Sequence, residues 1–211
     1  MKKRLNKNIC LILLTVILLL QSFTLSSCNR SYDETEVITV TKVLLKDAEK
    51  LNLIYFGEGI RYYEKEGDLS NYRIAEKAHL DELGFHTIDE LKSLTEKTFS
   101  QSYSNYIYST ILAPLTSDGK LVSATRYSEI EGEFVVRSTY IPIMKDTITY
   151  DYDSIKVKGA DKEKVSVTVN ATVTTKEGLS QNIDIVIDLV EEENGWRIDN
   201  PTYANYSDKR N

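Results

Sequence analysis

Apolar residues run almost unbroken from Ile9 to Leu20, then fall into two other rhythms along the rest of the chain. Between Val37 and Tyr55 they recur at three- and four-residue steps (Val37, Val40, Leu44, Ala48, Leu51, Tyr55). Lys42, Lys46, Glu49 and Lys50 fall largely on other faces, so the spacing predicts an amphipathic helix. Gly57 and Gly59 end it. From Ile60 to Phe85 no period dominates; Tyr62, Tyr63 and Tyr72 surround the polar turn Glu66-Gly67-Asp68, which suits either a short hairpin or an irregular loop. Thr87-Ile88-Asp89-Glu90 then fits a capping box, in which Thr87 accepts from the backbone of Glu90 and Glu90 reaches back. A helix is expected from Ile88 to Phe99 with Leu91, Leu94 and Phe99 inward. A second short helix is expected from Ser102 to Leu112, presenting Tyr103, Tyr106, Ile107 and Ile111.

After Pro114 the rhythm changes to that of strands. Ser117-Asp118-Gly119 and Glu131-Gly132-Glu133 read as turns, the latter leading into the apolar-rich stretch Phe134 to Ser138. Val165, Val167, Val169, Ala171 and Val173 alternate with polar residues, as do Ile183, Ile185, Ile187 and Leu189 after a turn at Glu177-Gly178. Asn194-Gly195 supplies a tight turn into a closing strand with Trp196 and Ile198 inward. These segments predict a three-stranded antiparallel meander with one apolar face, and the helices of the first half are its only available cover. The expected class is α+β: N-terminal helices packed on a curved antiparallel sheet, in one domain spanning residues 37–211.

The first apolar run belongs to a different kind of segment. Lys2, Lys3, Arg4 and Lys7 precede it with no acidic residue nearby, and small and polar residues follow it, ending in Leu25-Ser26-Ser27-Cys28. The run is shorter than the roughly 20 apolar residues a transmembrane helix needs, and its order is that of an export signal. The last four residues resemble the lipobox of bacterial lipoproteins. That resemblance implies that Cys28 receives a diacylglyceryl group, that residues 1–27 are removed, and that the chain is lipid-anchored on the extracytoplasmic face of a membrane. Residues 28–36 then read as a short tether; the eight residues from Asn29 to Glu36 reach at most ~28 Å.

The remaining composition narrows the chemistry. The two cysteines are Cys10 and Cys28, so a processed chain keeps no thiol for a disulfide, a thiolate metal ligand or a nucleophile. Removing the signal takes away four basic residues and no acidic one, leaving 22 basic against 32 acidic, a net charge of −10. That balance argues against a nucleic-acid partner, which calls for a basic patch. It also leaves anchoring to the acyl chains rather than to anionic lipid. The two histidines, His79 and His86, lack the spacing of a metal pair, and no metal site is expected. There is no Gly-x-Ser-x-Gly elbow and no phosphate-binding glycine loop, since position 62, where such a loop would continue from Gly57 and Gly59, is Tyr. Asp151-Tyr152-Asp153 and Glu191-Glu192-Glu193 could bind Ca²⁺ or serve acid–base work, but such runs usually face solvent. No catalytic constellation and no cofactor is expected.

Tyrosine stands out, with 14 in the chain. It combines apolar area with a hydrogen-bonding tip, which suits a contact surface, a polar-lined cavity or the rim of a core. Tyr103, Tyr106, Tyr150, Tyr152 and Trp196 are the candidate binding or pocket residues.

Gly195-Trp196-Arg197-Ile198-Asp199, following two long alternating strands and a glycine turn, resembles the end of cystatin-like α+β roll domains, the group that includes nuclear-transport-factor-two-like proteins. The resemblance covers about 35 residues and implies a fold, not a function. Enzymes of that fold place Asp and His in the cone of the sheet, and here no histidine follows His86. The stretch Ile88 to Ser100, with the short helix, turn and strands after it, is similar to IseA-type inhibitors of cell-wall DL-endopeptidases. That implies a non-enzymatic binding module acting on a cell-wall hydrolase or another envelope protein; this chain departs from those inhibitors in being acidic and, by its lipobox, membrane-anchored. The alternative is a small-ligand carrier or sensor with a pocket between sheet and helices.

Overall fold

The computed structural model describes residues 32–64, 71–117, 120–161 and 163–203. The export signal, the lipobox residues Leu25, Ser26 and Ser27, the acceptor Cys28 and the turn Glu66-Gly67-Asp68 lie outside them, as do Asp118 and Gly119 of a second expected turn.

Helix α1 (Glu34–Tyr55) begins three residues before Val37, because Asp33 supplies the cap: its Oδ1 accepts from the backbone N–H of Thr35 at 2.8 Å and of Glu36 at 3.3 Å. The end of the expected tether is therefore helical. Within the region from Ile60 to Phe85, Tyr62 and Ala75 form an antiparallel bridge, the Tyr63 N–H donating to the Ile74 carbonyl at 3.0 Å and the Glu76 N–H to the Arg61 carbonyl at 2.9 Å, so the two described ends pair with each other. The region also holds the three-residue strand β1 (Tyr72–Ile74), which pairs with a distant strand, and helix α2 (Lys77–Leu83), closed by Gly84 at φ +80°. Helix α3 (Ile88–Thr98) starts with the complete capping box at Thr87 and Glu90. The next helix is shorter than expected: α4 (Gln101–Ile107) gives way to a π-helical turn over Tyr108–Leu112.

Strands β2 (Leu115–Ser117) and β3 (Lys120–Ser123) form a ribbon, and β4 (Tyr127–Ile130) and β5 (Glu133–Arg137) join β1 in a three-stranded sheet ordered β1-β5-β4. The main sheet is a four-stranded antiparallel meander of β6 (Thr147–Ala160), β7 (Lys164–Thr174), β8 (Ser180–Glu192) and β9 (Gly195–Ile198). The sequence pattern predicts the last three; β6 is additional. Its register shifts between Asp151 and Lys156, and the buried side changes parity there, from Tyr150 to Ile155. Such a bulge bends a strand and breaks its period-two pattern, which is why the alternation does not reveal it.

The fold is thus α+β, with helices on one face of an open antiparallel sheet. Leu45, Ala48, Leu51 and Tyr55 of α1 join Val167, Val169, Ile187 and Leu189 of the sheet in one cluster of buried side chains. A polar thread runs through it. The Tyr55 hydroxyl lies 2.8 Å from Thr95 Oγ1, whose own proton goes to the Leu91 carbonyl, so Tyr55 donates.

The C-terminus of α1 is held by side chains from β4 and its approach. Tyr127 donates its hydroxyl to the Ile54 carbonyl at 2.5 Å, and Arg126 donates Nη2 to the Gly57 carbonyl at 2.6 Å. Arg126 is only 3% exposed, and among the described residues no carboxylate forms an ion pair with it. Its guanidinium carbon lies 4.0 Å from the ring centre of Tyr140 and 5.3 Å from that of Tyr127, and the negative end of the helix dipole adds to these ring faces. Gly59, at φ +83°, leaves room for this contact. The loop from Ser138 to Asp146 is tied to the same point, since Met144 donates its backbone N–H to the Phe56 carbonyl at 2.7 Å.

Candidate functional site

Glu49, Asn52 and Leu53 lie at i, i+3 and i+4 on α1 and so share a face near its C-terminal end. Tyr150 and Tyr152, two apart on β6, share the face of the sheet that meets it. The chain after β9 crosses between them. The Asn52 amide donates to Thr202 Oγ1 at 2.7 Å, and the Tyr150 hydroxyl donates to the Thr202 carbonyl. The Tyr152 hydroxyl donates to Glu49 Oε2, and the Lys46 ammonium sits 5.6 Å from the centre of the Tyr152 ring.

These contacts frame a cavity of about 140 Å³ lined by Glu49, Asn52, Met144, Asp146, Tyr150 and Tyr203, with Leu53, Gly57 and Ile148 completing its wall. Glu49 is half-buried, and burial raises its carboxyl above the usual range even though the Tyr152 hydroxyl and Lys46 pull the other way. Burial also pushes the Tyr203 hydroxyl up to about 12, and its ring packs 4.6 Å from that of Phe56. Asn52 is 3% exposed, and its Oδ1 has no hydrogen-bond partner. Leu53 in the wall is 50% exposed, beside the exposed charges of Glu58 and Lys145, and on the loop that leads to Met144, Ile143 is 42% and Ile141 81% exposed.

Of the candidates read from the sequence, the structure brings Tyr150 and Tyr152 to this site, Tyr150 in the wall and Tyr152 behind it as the partner of Glu49. Tyr103 and Tyr106 do not line it. The Tyr103 ring meets Phe99 edge-on at 5.0 Å, and Tyr106 stacks on Tyr103 at 5.9 Å with its outer side exposed instead of turned inward. Trp196 lies outside the cavity too, half-buried on β9 opposite Glu191. The sequence reading missed Glu49, Asn52, Met144 and Tyr203. One signal was available: Asn52 lies four residues after Ala48 and three before Tyr55, a polar residue inside the apolar stripe of α1.

The other chemical candidates are spent elsewhere. His79 Nδ1 accepts from the Arg61 backbone N–H at 2.8 Å, and burial followed by the charge of Arg61 lowers its pKa. His86 is exposed, 3.3 Å from Asp81. In the Asp151-Tyr152-Asp153 run, Asp153 pairs with Lys42 at 2.8 Å and Asp151 accepts from the Asp153 backbone. Asp151 also borders a shallow polar groove on the outer face of the sheet, with Asn170, Asn182 and Asp184. Among the described residues no group of three or more His, Cys, Asp or Glu side chains could hold a metal ion. No helix among them is long and apolar enough to cross a membrane. No family model and no curated protein matches this chain.

Proposed function

We propose that the chain is a bacterial lipoprotein, anchored through a diacylglyceryl group on Cys28 at the extracytoplasmic face of a membrane. Its α+β domain then serves as a non-enzymatic binding module for an envelope protein, in the most concrete form a cell-wall hydrolase that it inhibits or regulates. The observation that supports this best is the apolar loop at the end of α1. Ile141 and Ile143 flank Pro142 on a surface loop anchored through Met144, while most large apolar side chains among the described residues are buried. Exposed apolar side chains on an anchored loop suit contact with a partner more than stability of the free chain. Replacing Cys28 with Ala should abolish incorporation of labelled palmitate and release the protein from membranes. Binding of cell-wall endopeptidases should weaken in Ile141→Asp; absence of both binding and inhibition across the host's endopeptidases would remove the hydrolase reading.

A second reading, a small-ligand carrier or sensor, draws on the cavity beside Tyr150. The face of the sheet under α1 is filled by Val167, Ile187 and Leu189, whereas this cavity lies at the C-terminal end of the helix.

A further inference from the structure

Resting on the binding-module reading, we propose that the free edge of β8, from Ser180 to Val186, takes up an extended segment of a partner protein as an added strand, basic on its outer side. The edge follows from the hydrogen bonds at its closed end. Strand β8 runs from Ser180 to Glu192, but β9 covers only Leu189 to Glu192. Past β9, Asp199 donates its N–H to the Asp188 carbonyl at 2.8 Å. The Asn200 side chain then stands in for one more strand residue: its Oδ1 accepts from the Asp188 N–H and its Nδ2 donates to the Val186 carbonyl, both at 2.9 Å. Asp188 and Val186 thus turn these groups away from β7. Strands β7 and β8 pair without a register shift from Lys164 to Thr174, so Asp184 and Asn182 turn theirs the same way. Among the described residues no strand pairs with those N–H and C=O groups, and Ser180, Asn182, Asp184 and Val186 are all exposed.

A row of backbone donors and acceptors about 20 Å long is matched by another extended backbone. The opposite edge of the sheet is protected: β6 carries two register shifts and the charges of Lys156 and Lys158. The β8 stretch has no shift, proline, glycine or lysine. Its inner side offers Ile183 and Ile185. Its single charge is Asp184 on the outer side, which has no ion pair among the described residues. Asp184 ends a row with Asn170 and Asp151 across the outer face, along a groove of about 320 Å³. A lysine or arginine of the added strand opposite Asp184 meets this groove, while apolar side chains alternate with it toward Ile183 and Ile185. Pairing β8 with β8 of a second copy would bring no basic residue there, since Ser180 to Val186 holds none. Ser180 lies two strand spacings, about 10 Å, from Thr147, at the end of the sheet where the loop carrying Ile141 enters β6.

The test is an NMR titration of the full-length chain in zwitterionic detergent micelles with the peptide acetyl-Lys-Val-Lys-Val-Lys-Val-Lys-amide and two N-methylated forms of it, one methylated on the lysines and one on the valines. All three carry the same charge. An added strand turns only alternate N–H groups toward β8, so one methylated form should lose binding by at least about tenfold and the other keep it. The expected result is saturable shifts of the Asn182, Asp184 and Val186 amide signals at millimolar peptide. Asp184→Pro removes an N–H that faces outward and bonds nothing in β7, and should abolish the shifts. Should that variant lose its fold, the methylated pair tests the same point on the unaltered chain. Asp184→Asn keeps the backbone and should weaken binding about two- to fivefold; no change would overturn the basic side of the assignment. If no peptide shifts these signals, or the two methylated forms behave alike, the added strand is overturned, while the hydrolase reading is judged separately by Ile141→Asp. Sedimentation showing dimers of the chain alone that Asp184→Pro dissolves would also overturn it, giving the edge to a second copy.

Discussion

Replacing Gly59 with Ala should be one of the most damaging single-methyl changes in the chain, and the reason lies in how α1 ends. Gly59 sits at φ +83°, a conformation that costs an L-residue about 1–2 kcal/mol. A Cβ built there would overlap Nη2 of Arg126 and approach the Tyr127 hydroxyl to 2.8 Å. Both groups hold carbonyls at the end of α1, Arg126 that of Gly57 just beyond the helix and Tyr127 that of Ile54 in its last turn. Displacing them puts two buried hydrogen bonds at risk, each worth about 1 kcal/mol. Backbone and packing together give a loss of about 2–4 kcal/mol. Gly84 and Gly178 provide the control, since their φ values are +80° and +81° and a Cβ at either meets nothing within 4 Å. Ala at those positions should cost only the backbone component, about 1–2 kcal/mol. Urea unfolding followed by circular dichroism reads the difference: with a slope of roughly 2 kcal/mol per molar, Gly59→Ala should lower the midpoint by about 1–2 M. If Gly59→Ala costs no more than Gly84→Ala, the buried cation and the tyrosine do not secure the helix end, and the reasoning about α1 fails.

Other outcomes follow from the same structure. Thr87→Ala removes half of the capping box of α3 and should cost about 1 kcal/mol, with Thr87→Ser restoring most of it in the same unfolding assay. Ile187→Ala, at a fully buried position on β8, should cost about 2–5 kcal/mol. The raised Glu49 carboxyl means that the folded chain holds this proton more tightly than the unfolded chain does. Its contribution is therefore favourable below the ordinary value of 4.5 and is lost as pH rises through the higher folded value. Glu49→Gln should accordingly be at least as stable as the parent at pH 7 and lose that relative advantage on acidification, as thermal melts against pH would show. His79, shifted downward, should titrate by NMR with a midpoint below 6.5.

The elements legible from the sequence are those whose cause lies within a few residues. The capping box at Thr87 is a contact between residues three apart, and it appears as read. The strands β7, β8 and β9 were legible because one sheet face is buried, so period two is imposed on Val165 to Val173 and Ile183 to Leu189. Strand β6 escaped because its bulge shifts the apolar parity midway, and the short α2 and β1 escaped because neither spans enough residues to show a period. Tyr106 was misplaced because the buried stripe of α4 is Tyr103, Ser104 and Ile107, so the polar Ser104 takes an inward position and Tyr106 falls outside the stripe.

What the sequence by itself determined is the α+β class, the apolar faces that pack together, and the likeness of Leu25 to Cys28 to a lipobox; the expected order of helices before strands holds for the main sheet, whereas β1 comes before α2. Only the tertiary structure decided where a ligand could enter. The cavity is assembled from Asn52, Tyr150 and Thr202, residues separated by up to 150 positions, and its acidity depends on burial that no local pattern expresses. The same holds for Arg126: in sequence it is one basic residue among 26, and in the fold it is a buried cation closing α1. Hydrophobic periodicity records which side of an element faces inward. It carries no record of which polar groups meet once those sides have met, because that pairing is set by the packing of distant elements.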